Sequence, residues 1–294
     1  MTLTTSPRFG IATAPQQVGY HDVLRVWKEA DAIPEIEHAW LFDHLLPIGG
    51  DPNGPIFEGW TLLSALAAQT ERMRLGPLVT SNRFRPPAML AKIAATVDVV
   101  SGGRLDFGIG VGSRPNAPEA RREYPAHGLP YLDFSDAVAS LAEACTVIRR
   151  LWTEPEPFDF DGTYVQLTGA FCNPKPVQRP YPPIMIGGRT TATLRVVAEH
   201  ADLWNIPGGD LDDCIHRSAL VAASVPRSVA TLRRSPARFM CGSPTSSPPR
   251  PGARSGKPST PASSTSSSAC PLPSPRTSHS GSPVGSSTSR PETP

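Results

Sequence analysis

Residues 74–112 have the sequence RLGPLVTSNRFRPPAMLAKIAATVDVVSGGRLDFGIGVG. The apolar run at 74–80 is short and rich in β-forming residues, which predicts a buried strand. Apolar residues at helical spacing follow, between a proline pair at 86–87, which suits the first turn of a helix, and glycines at 102–103, which end it. Residues 104–110 form a second predicted strand. Together these segments predict one βαβ unit of a parallel sheet.

The same alternation extends over most of the chain. Further predicted strands are RFGIAT (8–13), AWLFD (39–43), PIMIGG (183–188) and ADLWNI (201–206), and FDFDGTYVQL (158–167) predicts a hairpin. About seven strand–helix units favour an α/β barrel over an open sheet. In either architecture, the loops at the carboxyl ends of the strands build the ligand site, so we expect it at loops such as 80–85 and 110–116.

The charge is distributed unevenly along the 294 residues. The segment 225–294 holds nine of the 28 Lys and Arg residues and one of the 26 Asp and Glu residues, so residues 1–224 carry 19 basic and 25 acidic residues, a net charge of −6. This mildly acidic body predicts neither a nucleic-acid partner nor a membrane partner. The amino terminus lacks the apolar core of a signal peptide, and no apolar run reaches the roughly 20 residues of a membrane helix.

The five cysteines include no C-x-x-C pair. Their spacing predicts a reduced, cytoplasmic environment, with neither a disulfide framework nor a metal site.

The composition changes at about residue 222. No Asp or Glu occurs between Asp213 and Glu292, while Ser, Pro, Arg, Thr and Ala dominate. We therefore predict two parts, a folded domain at 1–221 and a disordered tail at 222–294. A second hypothesis is a frameshift near residues 216–225, because the codons of PRSVATLRRSPAR, shifted by two bases, can encode the ordinary peptide AIGRDPATI.

Several motifs occur in the same order and spacing as in a known protein family. They are AWLFDH (39–44), the run ERMR through GIGVG (71–112), NPKPVQRPYPPIMIGG (173–188) and AEHADLWNI (198–206). Over residues 8–220 the chain resembles the bacterial luciferase-like monooxygenase superfamily, most closely its members that depend on the deazaflavin coenzyme F420. The resemblance implies a TIM-like (β/α)8 barrel that is incomplete at its carboxyl end, because the family continues with a further strand and helix where this chain has its tail.

The resemblance also implies an activity. Family members use F420 for hydride transfer to or from a small organic substrate, or use reduced FMN with O₂ as monooxygenases, and they often form homodimers. Three hypotheses follow: an F420- or FMN-dependent oxidoreductase, a frameshifted relative without activity, and a protein that binds the cofactor without turnover.

Two polar residues end the second predicted strand. The resemblance implies that Asp43 contacts the cofactor and that His44 acts as the base, a role that suits a side chain whose pKa lies near neutrality. The alternative is a structural cap or loop pair. Thr80, at the end of the third strand, matches another cofactor contact, with an ordinary strand-end threonine as the alternative. A cis peptide bond typical of the superfamily is expected between Pro77 and Leu78.

Two glycine-containing loops complete the predicted site. Val111, Gly112 and Asn116 follow the fourth strand, where glycine allows the backbone to approach a ring or phosphate. Sugar-phosphate dehydrogenases of the family carry an acid at the position of Ser113, and this difference argues against that reaction.

Gly187 and Gly188 precede a predicted helix whose amino terminus suits a phosphate, with a plain strand-to-helix turn as the alternative.

Overall fold

The computed structural model describes residues 8–114, 116–207, 211–224 and 238–242. The strands in these ranges are β1 (Phe9–Thr13), β2 (Ile36–Leu41), β3 (Arg74–Pro77), β4 (Thr80–Ser81), β5 (Phe107–Gly110), β6 (Phe158–Asp161), β7 (Gln166–Ala170), β8 (Ile184–Gly187), β9 (Leu203–Pro207) and β10 (Arg238–Gly242). The helices are α1 (Tyr20–Asp31), α2 (Gly59–Ala67), α3 (Pro87–Val100), α4 (Pro118–Ala126), α5 (Phe134–Thr153), α6 (Thr191–His200) and α7 (Leu211–Ser224).

Parallel strands form the wall of a barrel. One run is β1-β2-β3 and the other is β10-β9-β8-β5-β4. The two runs meet beside β5, where the amide of Leu75 in β3 donates to the carbonyl of Arg104 at 3.0 Å and the amide of Asp106 donates to Leu75 at 2.8 Å. Among the described strands, β1 pairs only with β2 and β10 pairs only with β9. The predicted fold class, a TIM-like α/β barrel, is confirmed over the described residues.

The core lies between this wall and the helices around it. The four residues of β5 are all buried, as expected for a parallel strand that is covered on both faces. The Phe107 ring meets Trp152 of α5 edge to face at 5.1 Å between ring centroids, and both side chains are almost fully buried. Outside the wall, β6 and β7 form the predicted antiparallel hairpin.

Three details differ from the expectations. The cis peptide bond joins Leu78 and Val79, one bond beyond the predicted position. Helix α4, which follows the loop at 110–116, was not among the predicted elements; Pro118 can begin a helix, and Ala120, Glu123 and Tyr124 share its buried face.

The third detail concerns the predicted tail, in which α7 runs on to Ser224 and residues 238–242 form β10. The edge of β9 offers main-chain hydrogen-bonding groups that these residues pair with in parallel register. The disordered-tail prediction is therefore wrong for this strand. The remaining tail residues lie outside the described residues. The frameshift hypothesis is likewise untested.

Candidate active site

Because the strands are parallel, their carboxyl ends lie at one edge of the wall, and most of the predicted site residues lie at that edge. Asp43 and His44 follow β2, Thr80 begins β4, and Val111 with Gly112 follow β5. Gly187 and Gly188 lie at the end of β8. Asn116 lies exposed in the turn before α4.

Asp43 and Thr80 lie in direct contact, and both are hydrogen-bonded to other side chains of the protein. The Asp43 carboxylate is 2% exposed. Its Oδ2 accepts two hydrogen bonds, one from the Thr80 hydroxyl and one from Arg85 Nη1 at 2.6 Å. Its second oxygen accepts from Arg85 Nη2 at 3.1 Å, and Trp60 Nε1 donates to the Thr80 hydroxyl at 3.2 Å.

Arg85 extends this network to the start of α2. Its other partner is Glu58, which also caps α2 by accepting the amide of Thr61 at 2.6 Å. Burial lowers the pKa of Arg85, but hydrogen bonds and charge from Asp43 and Glu58 outweigh burial and raise it overall. Burial raises the pKa of Glu58, and its bonds to Thr61 and the Arg85 charge lower it overall. Arg85 and Glu58 therefore stay ionised, and the hydrogen bonds from Arg85 and Thr80 hold Asp43 in place. The cofactor contact assigned to Asp43 and Thr80 remains a prediction.

His44 has a carboxylate partner that sequence reasoning did not find. Its Nδ1 lies 3.2 Å from each oxygen of Glu123, a residue that is 1% exposed. Glu123 also accepts the amides of Leu45 and Leu46, the latter at 3.3 Å. A carboxylate can only accept, so Nδ1 carries the proton. The neutral ring then has its acceptor at Nε2, which has no hydrogen-bond partner in the part of the chain that the structure describes.

The sequence did contain a signal for Glu123. Ala120, Glu123 and Tyr124 are the buried residues of α4, at positions that share one face of a helix. A carboxylate on the apolar face of a helix needs a partner, because burying an unpaired charge is costly. That partner could have been sought at the strand ends.

Arg83 is the least satisfied charged group of the site. Its side chain is buried, Nε donates to the carbonyl of Val111 at 3.1 Å, and the guanidinium carbon lies 5.5 Å from the centroid of the Tyr124 ring. Nη1 and Nη2 are both buried, and neither has a hydrogen-bond partner among the described residues. Sequence reasoning did not select Arg83, because nothing local distinguishes it from an exposed loop arginine.

Gly112 allows α4 to pack closely against the carboxyl ends of the strands. Its φ of +88° lies in the region that glycine adopts without strain. A Cβ atom here would lie 2.4 Å from Ser81 Oγ and 2.8 Å from Tyr124 Oη. A side chain at position 112 would therefore hold α4 away from the strand ends.

The predicted phosphate cradle is a well-fixed turn. The Gly188 amide donates to Asn205 at 3.1 Å, and the Gly188 carbonyl accepts from Trp204 Nε1 at 2.8 Å. Helix α6 begins directly afterwards, with the Thr190 hydroxyl accepting the amide of Thr193 at 3.2 Å. The first amides of a helix have no intrahelical acceptor and can therefore bind an anion. Phosphate binding at Gly187 and Gly188 remains a prediction.

The described ranges contain no group of three or more His, Cys, Asp or Glu residues that could hold a metal ion. They also contain no helix that is long and apolar enough to cross a membrane.

Comparison with known proteins places this site in a family. Residues 1–247 match the luciferase-like monooxygenase family, past the domain boundary predicted at 221. The chain belongs to this family. One curated relative, the F420-dependent glucose-6-phosphate dehydrogenase of Amycolatopsis mediterranei (strain U-32), is 30% identical over 185 residues, which are 62% of this chain and 52% of the relative.

Solved structures support the fold. An F420-dependent secondary alcohol dehydrogenase in complex with an F420–acetone adduct superposes with a TM-score of 0.69 at 21% identity, over 81% of this chain and 68% of that one. A riboflavin lyase with modified FMN and riboflavin superposes with a TM-score of 0.64 at 18% identity, over 80% of this chain and 61% of that one. The chain spans between about half and two thirds of the length of the curated relatives that it matches.

Proposed function

We propose that this family member is an F420-dependent oxidoreductase that transfers a hydride to or from a small organic substrate. One observation carries the proposal: His44 lies at the carboxyl end of the strands with Nδ1 held by the buried carboxylate of Glu123, which leaves Nε2 available for a proton. A base that is oriented by a third group is the arrangement used for acid–base catalysis. The F420 dependence of a relative and of a structural neighbour supports the choice of cofactor.

The roles of the protein groups follow from this geometry. When the substrate is oxidised, Nε2 of His44 accepts the hydroxyl proton, and the imidazolium that forms is stabilised by Glu123. When the substrate is reduced, the same atom returns the proton. F420 supplies the hydride acceptor or donor when it is bound. Phe42 and Phe84 lie edge-on to the imidazole, with centroids at 5.8 and 6.3 Å, and restrict its rotation.

Two features of the site favour binding of such a cofactor, and one does not. Arg83 presents buried donors without partners beside Val111 and Gly112, as an anionic group would require. The turn at Gly187 and Gly188 leads into the amino terminus of α6. By contrast, both oxygens of Asp43 are already occupied by protein donors. We therefore propose Val111, Gly112, Gly187 and Gly188 as the principal holding residues, with Asn116, Asp43 and Thr80 at the margin.

FMN is the second candidate cofactor. The riboflavin lyase structure with modified FMN favours it, and the described site residues do not discriminate between the two cofactors. The test is a fluorescence titration of the purified chain with F420 and, separately, with FMN. We expect saturable binding of F420. Failure of both to bind would support the hypothesis of an inactive relative.

Turnover tests the role of His44. We expect His44→Asn to retain F420 binding and to lose about 100-fold or more in kcat, as for removal of a general base. Glu123→Gln should lower kcat less and should shift the pH profile, because the amide cannot stabilise the imidazolium. His21→Asn, at an exposed position in α1, is the matched control. Unchanged kcat in His44→Asn would contradict the assignment.

The substrate screen begins with a secondary alcohol, 2-propanol, and with glucose 6-phosphate. We expect no turnover of glucose 6-phosphate, because Ser113 stands where the sugar-phosphate dehydrogenases carry an acid. F420 reduction by glucose 6-phosphate would show that another acid replaces it.

We further propose a second copy of this chain as partner and the cytoplasm as location. Met89, Val99 and Val100 expose 57%, 41% and 47% of their area on α3, which provides apolar surface for a homodimer. Two buried cysteines, Cys145 and Cys172, are free thiols, as in a reducing compartment. Sedimentation velocity tests the dimer, and a monomer at every concentration would contradict it.

A further inference from the structure

We infer that Arg83 is the centre of an oxyanion-binding site between the carboxyl ends of β4 and β5, for a carboxylate or phosphate of the small molecule bound there. The observation is a buried guanidinium whose two terminal nitrogens have no partner among the described residues, while its Nε is occupied. The inference does not depend on the choice between F420 and FMN.

The orientation of Arg83 leaves one edge of the guanidinium available. Nε donates to the Val111 carbonyl at 3.1 Å, which fixes the plane of the group at the end of β5. Nη1 and Nη2 then form an end-on fork. This pair of parallel donors matches the two oxygens of a carboxylate or phosphate.

The surrounding groups do not provide the missing negative charge. Tyr124 lies against the guanidinium, and burial raises the pKa of its hydroxyl, so it stays neutral. Glu123, its neighbour in α4, directs its carboxylate to His44 and to two main-chain amides. Because an arginine stays protonated, the charge of Arg83 cannot be removed by proton loss.

Two half-buried arginines near the same strands, Arg85 and Arg104, show what a satisfied guanidinium looks like. Arg85 is neutralised by Asp43 and Glu58, and Arg104 donates to four carbonyls and the Thr70 hydroxyl. Arg83 differs from both, because two of its buried nitrogens have no partner among the described residues. A ligand that supplies an oxyanion would satisfy these two donors and balance the charge.

The position of Arg83 links this site to the chemistry. Val111 and Gly112 belong to the loop proposed to hold the cofactor, and Phe84, the next residue along the chain, contacts His44. Tyr124 shields the guanidinium from water, which strengthens its interaction with an anion. The bound molecule thus has an acidic group on the α4 side of the site.

Inorganic phosphate is the probe. Thermal unfolding is followed at rising phosphate concentration, with ionic strength matched by sodium chloride. We expect the Tm of the wild type to rise with phosphate, since a ligand that binds the native state stabilises it. Arg83→Met should abolish this rise, and Arg83→Lys should weaken it at least ten-fold in apparent Kd. Arg25→Met, which removes an exposed charge in α1, should leave it unchanged.

F420 distinguishes the two sources of the oxyanion. Competition between F420 and phosphate, with F420 binding at least ten-fold weaker in Arg83→Met, assigns the oxyanion to the cofactor. Independent binding of phosphate to the F420-loaded chain assigns it to the substrate. A wild type that does not respond to phosphate, or an Arg83→Met chain that responds equally, would overturn the inference. An Arg83-dependent phosphate response without any F420 or FMN binding would defeat only the proposed function.

Discussion

The two ends of the barrel wall treat the same residue type in opposite ways. At the amino ends of β3 and β5, Arg74 donates from Nε to both oxygens of Asp106 at 3.0 Å and from Nη2 to Gln178 at 3.1 Å. At the carboxyl ends, Arg83 is more deeply buried than Arg74, but two of its nitrogens have no partner among the described residues. At the amino end the protein itself supplies the partners of its arginine, whereas at the carboxyl end we infer that a bound ligand supplies them, as expected for this architecture.

The ion pair between Arg74 and Asp106 at the amino end should therefore stabilise the folded state. Asp106→Asn would leave the Arg74 charge without its counter-ion, and breaking a fully buried pair costs about 3–5 kcal/mol. The Arg74 side chain is 28% exposed, so water screens part of this loss and we expect about 2–3 kcal/mol. Urea denaturation of the variant measures it. Glu29→Gln, which breaks an exposed pair with Arg25, is the control at under about 0.5 kcal/mol.

A loss in Asp106→Asn no larger than that of the control would remove the contrast between the two ends. It would mean that Gln178 and the main chain satisfy Arg74 without the carboxylate.

His38, which lies beside Asp106 at the amino end, should make the free energy of unfolding depend on pH. Burial lowers the pKa of His38 below 6.5, the Asp106 carboxylate and Glu37 raise it, and the charges of Arg74 and Arg8 lower it further. The folded state thus binds fewer protons than the unfolded state below about pH 6.5, so stability should fall as the pH drops through this range. One such group contributes at most about 1.4 kcal/mol per pH unit.

Urea midpoints measured between pH 7 and pH 5 check this expectation. His38→Gln should flatten the slope, whereas His21→Gln at an exposed position should leave it in place. An identical slope in wild type and His38→Gln would assign the acid sensitivity to other groups.

The sequence predicted the wall of the barrel well, for a local reason. Short apolar runs such as those of β5 and β8 are buried on both faces, so pattern alone identifies them as parallel strands. It also placed Asp43 and His44 at a strand end. Their partners were not predictable, because Arg85 lies 42 residues from Asp43 and Glu123 lies 79 residues from His44. Contacts at such separations depend on tertiary packing.

The same limit explains why β10 and α4 were not predicted. Composition is an average over many residues, so it could not show that residues 238–242 pair with the edge of β9. The charged sequence of α4 similarly concealed the buried face that carries Glu123 and Tyr124. Arg83 was missed because the absence of a partner is visible only once all of its neighbours are in place.

The smallest effect on stability should come from the arginine at the carboxyl end, and this result decides the comparison. Arg83→Met replaces a buried charge with an apolar side chain of similar length, so it removes two donors that no described residue satisfies. It gives up the Val111 hydrogen bond and the contact with Tyr124, each worth about 1 kcal/mol. The gain from removing the unpaired charge is of similar size, so we expect a change within about 0.5 kcal/mol of zero in urea denaturation without phosphate. A loss as large as that of Asp106→Asn would mean that Arg83 is satisfied within the protein, and the two ends would then be alike.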